Sequence, residues 1–235
     1  MPDLSRRDTA ARELMDAPDA DRAALERTYD RFRLINPVVG GWRRIYRRRI
    51  RPRVLAGDVR ILDIGSGGGD VTRRLARWAR RDASRAVVTA LDADPRATAW
   101  AERQGGPSNV RYRTGTTAEL VAAGERFDVV VSNHLLHHLD SVPDLLRESE
   151  ELLDPAGIAV HVDIARSPRA YALFDALTRP LQPTLLAGSF IRADGLTSIR
   201  RSYTVDELAE LAPLGWSAKP ATPCRALLIR EGERG

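Results

Sequence analysis

Five short apolar runs, separated by segments of helical periodicity, limit the folds open to this chain. They are "VRILDI" (59–64), "AVVTALD" (86–92), "VRYRT" (110–114), "FDVVVSN" (127–133) and "GIAVHVDIA" (157–165). Between them, Val71, Leu75 and Trp78 recur at i, i+4 and i+7, and Val142, Leu145, Leu146, Leu152 and Leu153 form a second apolar stripe. Strands that alternate with helices predict an α/β fold, a doubly wound and mostly parallel sheet covered on both faces. After the fifth run the alternation pauses. Residues 166–203, with their prolines, apolar clusters and glycine breaks, read as a lid insertion whose Tyr171, Phe174, Leu185, Leu186 and Phe190 are expected to wall a pocket. A capping box, Thr204 with Glu207, then restarts regular structure. "GWSAKP" and "CRALLIR" follow as an antiparallel strand pair, for seven strands in all.

Ahead of the alternation, residues 1–20 are polar and read as a short helix or a loose arm. Helical patterns over 22–34 and 42–55 flank "INPVVGG", where the proline and paired glycines predict a break. The expected organisation is a helical cap over 1–56 and a main domain over 57–235 that includes the lid. At 235 residues and 43% hydrophobic content the chain can bury a sizeable core. No run approaches the length of a membrane span and the N-terminus lacks a signal-peptide apolar region, so the expected location is cytoplasmic. One cysteine, Cys224, excludes an internal disulfide. The net charge of +5 comes from one lysine and 36 arginines. That bias runs through the whole chain, so the cluster Trp42–Arg53 reads first as a solvated helix face, and a nucleic-acid partner is not expected. A homodimer is compatible with the sequence.

The chemistry begins at "ILDIGSGGGD" (61–70). A strand, a glycine turn and a helix in this order place the loop where open parallel sheets bind ligands. The phosphate-binding loop needs a lysine that is missing here. The dinucleotide fingerprint fails as well, because its last position falls on Asp70 or Thr72. Asp70 at a helix start would repel a pyrophosphate. The pattern D-x-G-x-G-x-G through Asp63, Gly65, Gly67 and Gly69 resembles the class I S-adenosylmethionine-dependent methyltransferases, whose cofactor carries a sulfonium and an ammonium. The resemblance continues through "ALDADP", "GTTAEL", "FDVVVSNHLLHHL" and "LLDPAGIAVHVD", over residues 59–165. It implies a Rossmann-like fold and S-adenosyl-L-methionine as cofactor, bound by Asp63, Gly65, Ser66, Gly67 and Gly69. It also implies Asp92 and Ala93 at the ribose, Thr116 and Thr117 near the adenine, and Asn133 beside the loop. Where family members often carry an adenine-contacting Asp, this chain has Thr116. The segment "TYDRFRLINPVVGGWRRIYRRR" is loosely similar to the region preceding the glycine loop in ubiquinone/menaquinone C-methyltransferases, which implies Tyr29 across the cofactor pocket.

All four histidines lie between 134 and 161. The zinc-protease spacing H-E-x-x-H is missing, since Leu135 follows His134, and no metal is expected. His134, His137 and His138 share one side of the segment after the fourth strand, above the crevice. Methyl transfer from a sulfonium is an in-line displacement that needs alignment, but a phenol or enol acceptor must also lose a proton. A histidine of ordinary pKa, about 6.5, can take it. His134 is the first candidate for this base and His137 the second, with Asp163 orienting the base or touching substrate. His138 is expected to pack inward and His161 to lie in the core. The expected activity is methylation, on oxygen or carbon, of a small and mainly apolar acceptor, a phenolic, polyketide-like or quinone-like secondary metabolite. Two alternatives are an RNA or protein methyltransferase using the Arg43–Arg53 surface, and a non-catalytic protein that binds the cofactor.

Overall fold

The computed structural model describes residues 2–82 and 85–232, with 37–39 described for backbone alone. Its sheet consists of β1 (Arg60–Ile64), β2 (Val87–Asp92), β3 (Val110–Thr114), β4 (Phe127–Asn133), β5 (Leu153–Ile164), β6 (Trp216–Ala221) and β7 (Arg225–Glu231). The spatial order is β3-β2-β1-β4-β5-β7-β6. Neighbours among β1 to β5 are parallel, and β7 runs antiparallel to both β5 and β6. The chain steps outward from β1 to β3 and then returns to the other side of β1. At that reversal the loops after β1 and β4 diverge and leave a crevice at the carboxyl ends of the strands.

Ten α-helices surround the sheet among the described residues. The first three are α1 (Arg22–Val39), α2 (Trp42–Ile45) and α3 (Arg51–Ala56), the last two joined by a π-helical turn over Tyr46–Ile50. The crossovers are α4 (Asp70–Asp82), α5 (Pro95–Arg103), α6 (Thr117–Ala122) and α7 (Val142–Leu152), and then come α8 (Pro168–Thr178), α9 (Ile191–Arg201) and α10 (Val205–Leu211). Strand periodicity divides the core. Val129 and Val131 of β4 face Ile50, Val54 and Leu75 on one side, while Val130 faces Leu120, Leu146 and Leu208 on the other. None of the described helices is long and apolar enough to cross a membrane.

Several boundaries differ from expectation. Helix α1 does not break at Pro37 but runs to Val39. Proline has no N–H, so the carbonyl of Arg33 one turn earlier lacks its helical donor. Arg74 Nη2 supplies one at 2.8 Å. The stop comes instead at Gly40–Gly41: Gly41 has φ +60, and a Cβ there would collide with the Arg225 guanidinium, which donates to the Gly40 carbonyl. Strand β5 begins at Leu153 rather than Gly157, pairing first with Phe127 before a register irregularity. The expected cap boundary at 56 falls inside a shared core, because Trp42, Ile45, Ile50 and Val54 pack with the sheet and α4. The segment that covers the crevice is 2–39, where Leu25 and Tyr29 pack on Ala97 and Trp100. Residues 166–203 form α8, a run of turns and α9. Of the five lid residues expected to wall a pocket, only Phe174 does; Leu173, Leu177, Ile191 and Ile199 join it. Leu186 is buried, Phe190 packs beside Tyr29 and Trp100, Leu185 is exposed, and Tyr171 is half-buried outside the cavity lining.

Candidate active site

A cavity of about 700 Å³ occupies the crevice above β1, β2 and β4, within the range of small-molecule sites. Its floor is the glycine loop. Gly65 has φ +63, and a Cβ there would sit 2.8 Å from Leu135 Cδ1, so only glycine fits. Ser66 N–H donates to Leu91 O at 3.1 Å, and Gly67 N–H donates to Asp92 Oδ2 at 2.7 Å. Asp92 Oδ1 accepts from Asp94 N–H at 2.9 Å. The acid at the end of β2 therefore ties down the loop after β1 and still borders the cavity. Gly69 shapes the turn, donating its N–H to Ser66 O, but does not line the cavity, whereas Gly68 does.

Three carboxyls edge this floor. Asp63 is fully buried and accepts from Thr72 Oγ1 at 2.5 Å; burial pushes its pKa up to about 7, against the pull of that hydrogen bond. Burial also raises Asp70, at the start of α4, which accepts from Asn36 Nδ2 at 3.1 Å, and Asp92. Carboxyls held above their ordinary pKa gain when a cation arrives. Tyr29 packs against Trp100 with its ring tilted, centroids 5.3 Å apart, and lines the cavity, as does Ala93. Asn133 also lines it, with Oδ1 accepting from Trp42 Nε1 at 2.9 Å. The hydroxyls of Thr116 and Thr117 are engaged within the protein. Thr116 Oγ1 caps α6 by accepting from Glu119 N–H, and Thr117 Oγ1 donates to Glu148. What these threonines offer an adenine is backbone and shape.

The histidines divide by environment. His134 follows β4 in the left-handed region, φ +55, its N–H bonded to Val162 O at 2.8 Å. Its ring reaches the cavity, with Nδ1 3.7 Å from Asp163 Oδ1. His137 and His138 lie on the one-turn 3-10 helix Leu136–His138. The buried histidine of this pair is His137, where His138 was expected. His137 Nδ1 donates to Asp163 Oδ1 at 2.8 Å, and its N–H donates to Oδ2 at 3.0 Å. Burial works against its charge, but the carboxylates of Asp163 and Glu13 outweigh it and hold His137 up to about 10. A base that keeps its proton at neutral pH cannot accept another, so His137 drops out as the second candidate. Asp163, despite burial, is held well below the carboxylate range by His137 and His134. His138 is a quarter exposed, lines the cavity and meets Asp16 Oδ2 at 3.1 Å. His161 lies in the core as expected, between Ser132 and Ser149, and burial takes it down to about 3.

Sequence reasoning read residues 1–20 as a short helix or a loose arm and did not bring it to the cavity. Glu13 and Asp16 reach into the cavity from it, with Ser198 Oγ donating to Glu13 Oε1 at 2.8 Å. Asp194 accepts the N–H groups of Leu14 and Met15 at 2.8 and 3.0 Å. The acids of "ARELMD", three residues apart, were the one available signal.

A methyltransferase domain family matches residues 62–161. The ubiquinone biosynthesis O-methyltransferase of Methylobacterium sp. (strain 4-46) is 35% identical over 182 residues, covering 73% of this chain and 68% of the relative. The chain belongs to the class I S-adenosylmethionine-dependent methyltransferases. A second methyltransferase, the ubiquinone biosynthesis O-methyltransferase of Azorhizobium caulinodans, is 38% identical over 128 residues, 54% of this chain and 47% of its own length. The chain thus spans about half to two thirds of the length of these curated relatives. Among solved structures, a SAM dependent methyltransferase from Aquifex aeolicus matches with a TM-score of 0.55 at 13% identity, covering 89% of this chain and 97% of that one; it shares the methyltransferase fold. The loop suits this cofactor. Nothing crowds the position of a Cβ on Gly67, and the acids Asp63, Asp70 and Asp92 line the cavity there, whereas the Arg73 guanidinium, which donates to Gly68 O at 2.7 Å, does not line it.

Proposed function

We propose that this methyltransferase methylates an oxygen of a small, largely apolar phenolic or quinone-like acceptor, with His134 as general base. The observation that carries this reading is the placement of His134. It lines the same cavity as the glycine loop and the apolar residues of α8 and α9, and its Nδ1 is 3.7 Å from Asp163 Oδ1. S-adenosylmethionine, when bound, supplies an electrophilic methyl group that needs no activation by the enzyme. This chain's residues have the remaining tasks. Asp63 and Asp70 favour the cofactor's positive charge, and Asp92 offers its remaining lone pairs to the ribose hydroxyls. Leu173, Phe174, Leu177 and Ile199 exclude water and align the acceptor. His134 Nε2 takes the acceptor proton while Asp163, 3.7 Å from Nδ1, steadies the charge that forms. The O-methyltransferase relatives support oxygen over carbon. None of the arginines from Arg43 to Arg53 lines the cavity, so the Arg-rich surface lies apart from this chemistry.

The test is a panel of phenols and hydroquinones assayed with wild-type and His134→Ala protein over a range of pH. We expect the substitution to slow turnover about 100-fold at neutral pH and much less at a pH where the acceptor ionises unaided. A loss equal at every pH removes His134 as base. Turnover on RNA or peptide in place of the panel overturns the acceptor class.

A further inference from the structure

Glu13 of the arm meets His137 and His138 of the 3-10 turn, and all three line the cavity. The two imidazoles are held alike. His137 Nδ1 is 2.8 Å from Asp163 Oδ1, and His138 Nδ1 is 3.1 Å from Asp16 Oδ2. A carboxylate on Nδ1 keeps the ring proton there and leaves Nε2 to bind elsewhere, the arrangement by which outer carboxylates prepare histidines for metals. Both Nε2 atoms turn to the same carboxylate: His137 Nε2 is 3.2 Å from Glu13 Oε1, and His138 Nε2 is 3.7 Å from Glu13 Oε2. The rings lie 4.3 Å apart, tilted by 37°. One donor atom from each residue lies within 4.8 Å of the others. A tetrahedral ion with bonds of about 2.0–2.2 Å needs its ligands roughly 3.3–3.5 Å apart, so small side-chain movements suffice.

A second observation concerns the His137 Nε2 atom. The His137 side chain is 1% exposed, and its Nε2 is buried without an aligned hydrogen bond, although Glu13 is close. The surroundings favour a cation, since Asp16, Asp163 and Asp194 line the same cavity or flank the trio, with one arginine, Arg201, 3.7 Å from Asp16. The missing H-E-x-x-H spacing does not bear on a ligand set completed from a distant arm. Two imidazoles and one carboxylate suit Zn²⁺ and its neighbours better than Mg²⁺ or Ca²⁺.

We propose that Glu13, His137 and His138 bind a divalent transition-metal ion of the Zn²⁺ class, with an open coordination position toward the cavity. The open position would take the acceptor's oxygen and ease its ionisation. That role rests on the acceptor reading above; ion binding itself does not, and it is measured without turnover.

Chelator-treated protein is titrated with Co²⁺, with Zn²⁺ as competitor, for the wild type, Glu13→Gln and His138→Asn, and S-adenosylhomocysteine affinity reports folding in each. We expect one Co²⁺ per chain, visible d–d bands of a four- or five-coordinate ion, and displacement by Zn²⁺. Each substitution should weaken Co²⁺ binding more than about tenfold and leave S-adenosylhomocysteine affinity within about twofold. Absence of the bands in the wild type, or unchanged Co²⁺ affinity in both variants, overturns the proposal. If the variants lose S-adenosylhomocysteine binding, X-ray absorption on the Zn²⁺-loaded wild type decides. Two imidazoles and a carboxylate support the site, and any other ligand set overturns it.

Discussion

Asp63 is the residue through which the cofactor's charge should be felt most directly. Its pKa of about 7, raised by burial above an ordinary 3.8, means that near neutrality the ligand-free protein holds it partly protonated. The sign follows from linkage. The proton prefers the folded chain, so Asp63 contributes stability that is present below pH 4 and lost as the pH rises toward 7, at up to about 1.4 kcal/mol per unit. A cation reverses the preference. S-adenosylmethionine binding at slightly acidic pH should therefore expel part of a proton, visible calorimetrically as a binding enthalpy that varies with the ionisation enthalpy of the buffer. Asp63→Asn should remove most of that variation. The sequence located this acid, because strand periodicity places Asp63 before the glycine turn. It could not show the protonation state, which depends on Thr72, Asp70 and Asp92 closing around it. The same limit explains His137 and His138. Their positions were plain, but which one lies inward is decided by Asp163 and Glu13.

Among the elements, the parallel strands were legible because each is a compact Val/Ile run bounded by a turn, and β1 to β4 begin and end within a residue of their expected limits. The arm was not legible, since its conformation has no period. Distant partners hold it instead. Asp194 takes two of its N–H groups, and Arg96 Nη1 donates to Ala17 O at 2.9 Å. Helix α1 failed differently, because propensity stops a helix at Pro37 and a guanidinium from α4 satisfies the carbonyl that proline leaves open. Asp194→Ala should release the arm, since two part-buried N–H groups lose their acceptor at a cost of about 1 kcal/mol each. Limited proteolysis should then cut within residues 9–20 at least tenfold faster, while the rest of the chain resists. Equal cleavage rates would show that Arg96 and Glu13 hold the arm without Asp194.

For the whole molecule, His161 ties four elements together. Its ring joins β5 to Ser132 of β4 and Ser149 of α7 and stacks on Trp216 of β6 at 5.4 Å. Burial lowers its pKa to about 3, against about 6.5 in an unfolded chain. The proton here prefers the unfolded chain. Stability is complete above pH 6.5 and is lost as the pH falls toward 3, by about 2 kcal/mol at pH 5. Urea unfolding at pH 7 and pH 5 should show His161→Gln losing about that much less on acidification than the wild type. The sequence identified His161 as a core residue from strand alternation, and the serines that receive it come from segments it could not align.

The arm also has a consequence for the order in which the site comes into being. Asp8 bonds to the backbone of Arg200, and Glu13 to Ser198, so these arm residues wait for partners made much later in synthesis. Contacts so far apart in the chain form late. While α9 is still inside the ribosome the glycine loop can already be folded, yet the crevice above it has no far wall. A nascent chain of this kind could hold cofactor before it could enclose an acceptor.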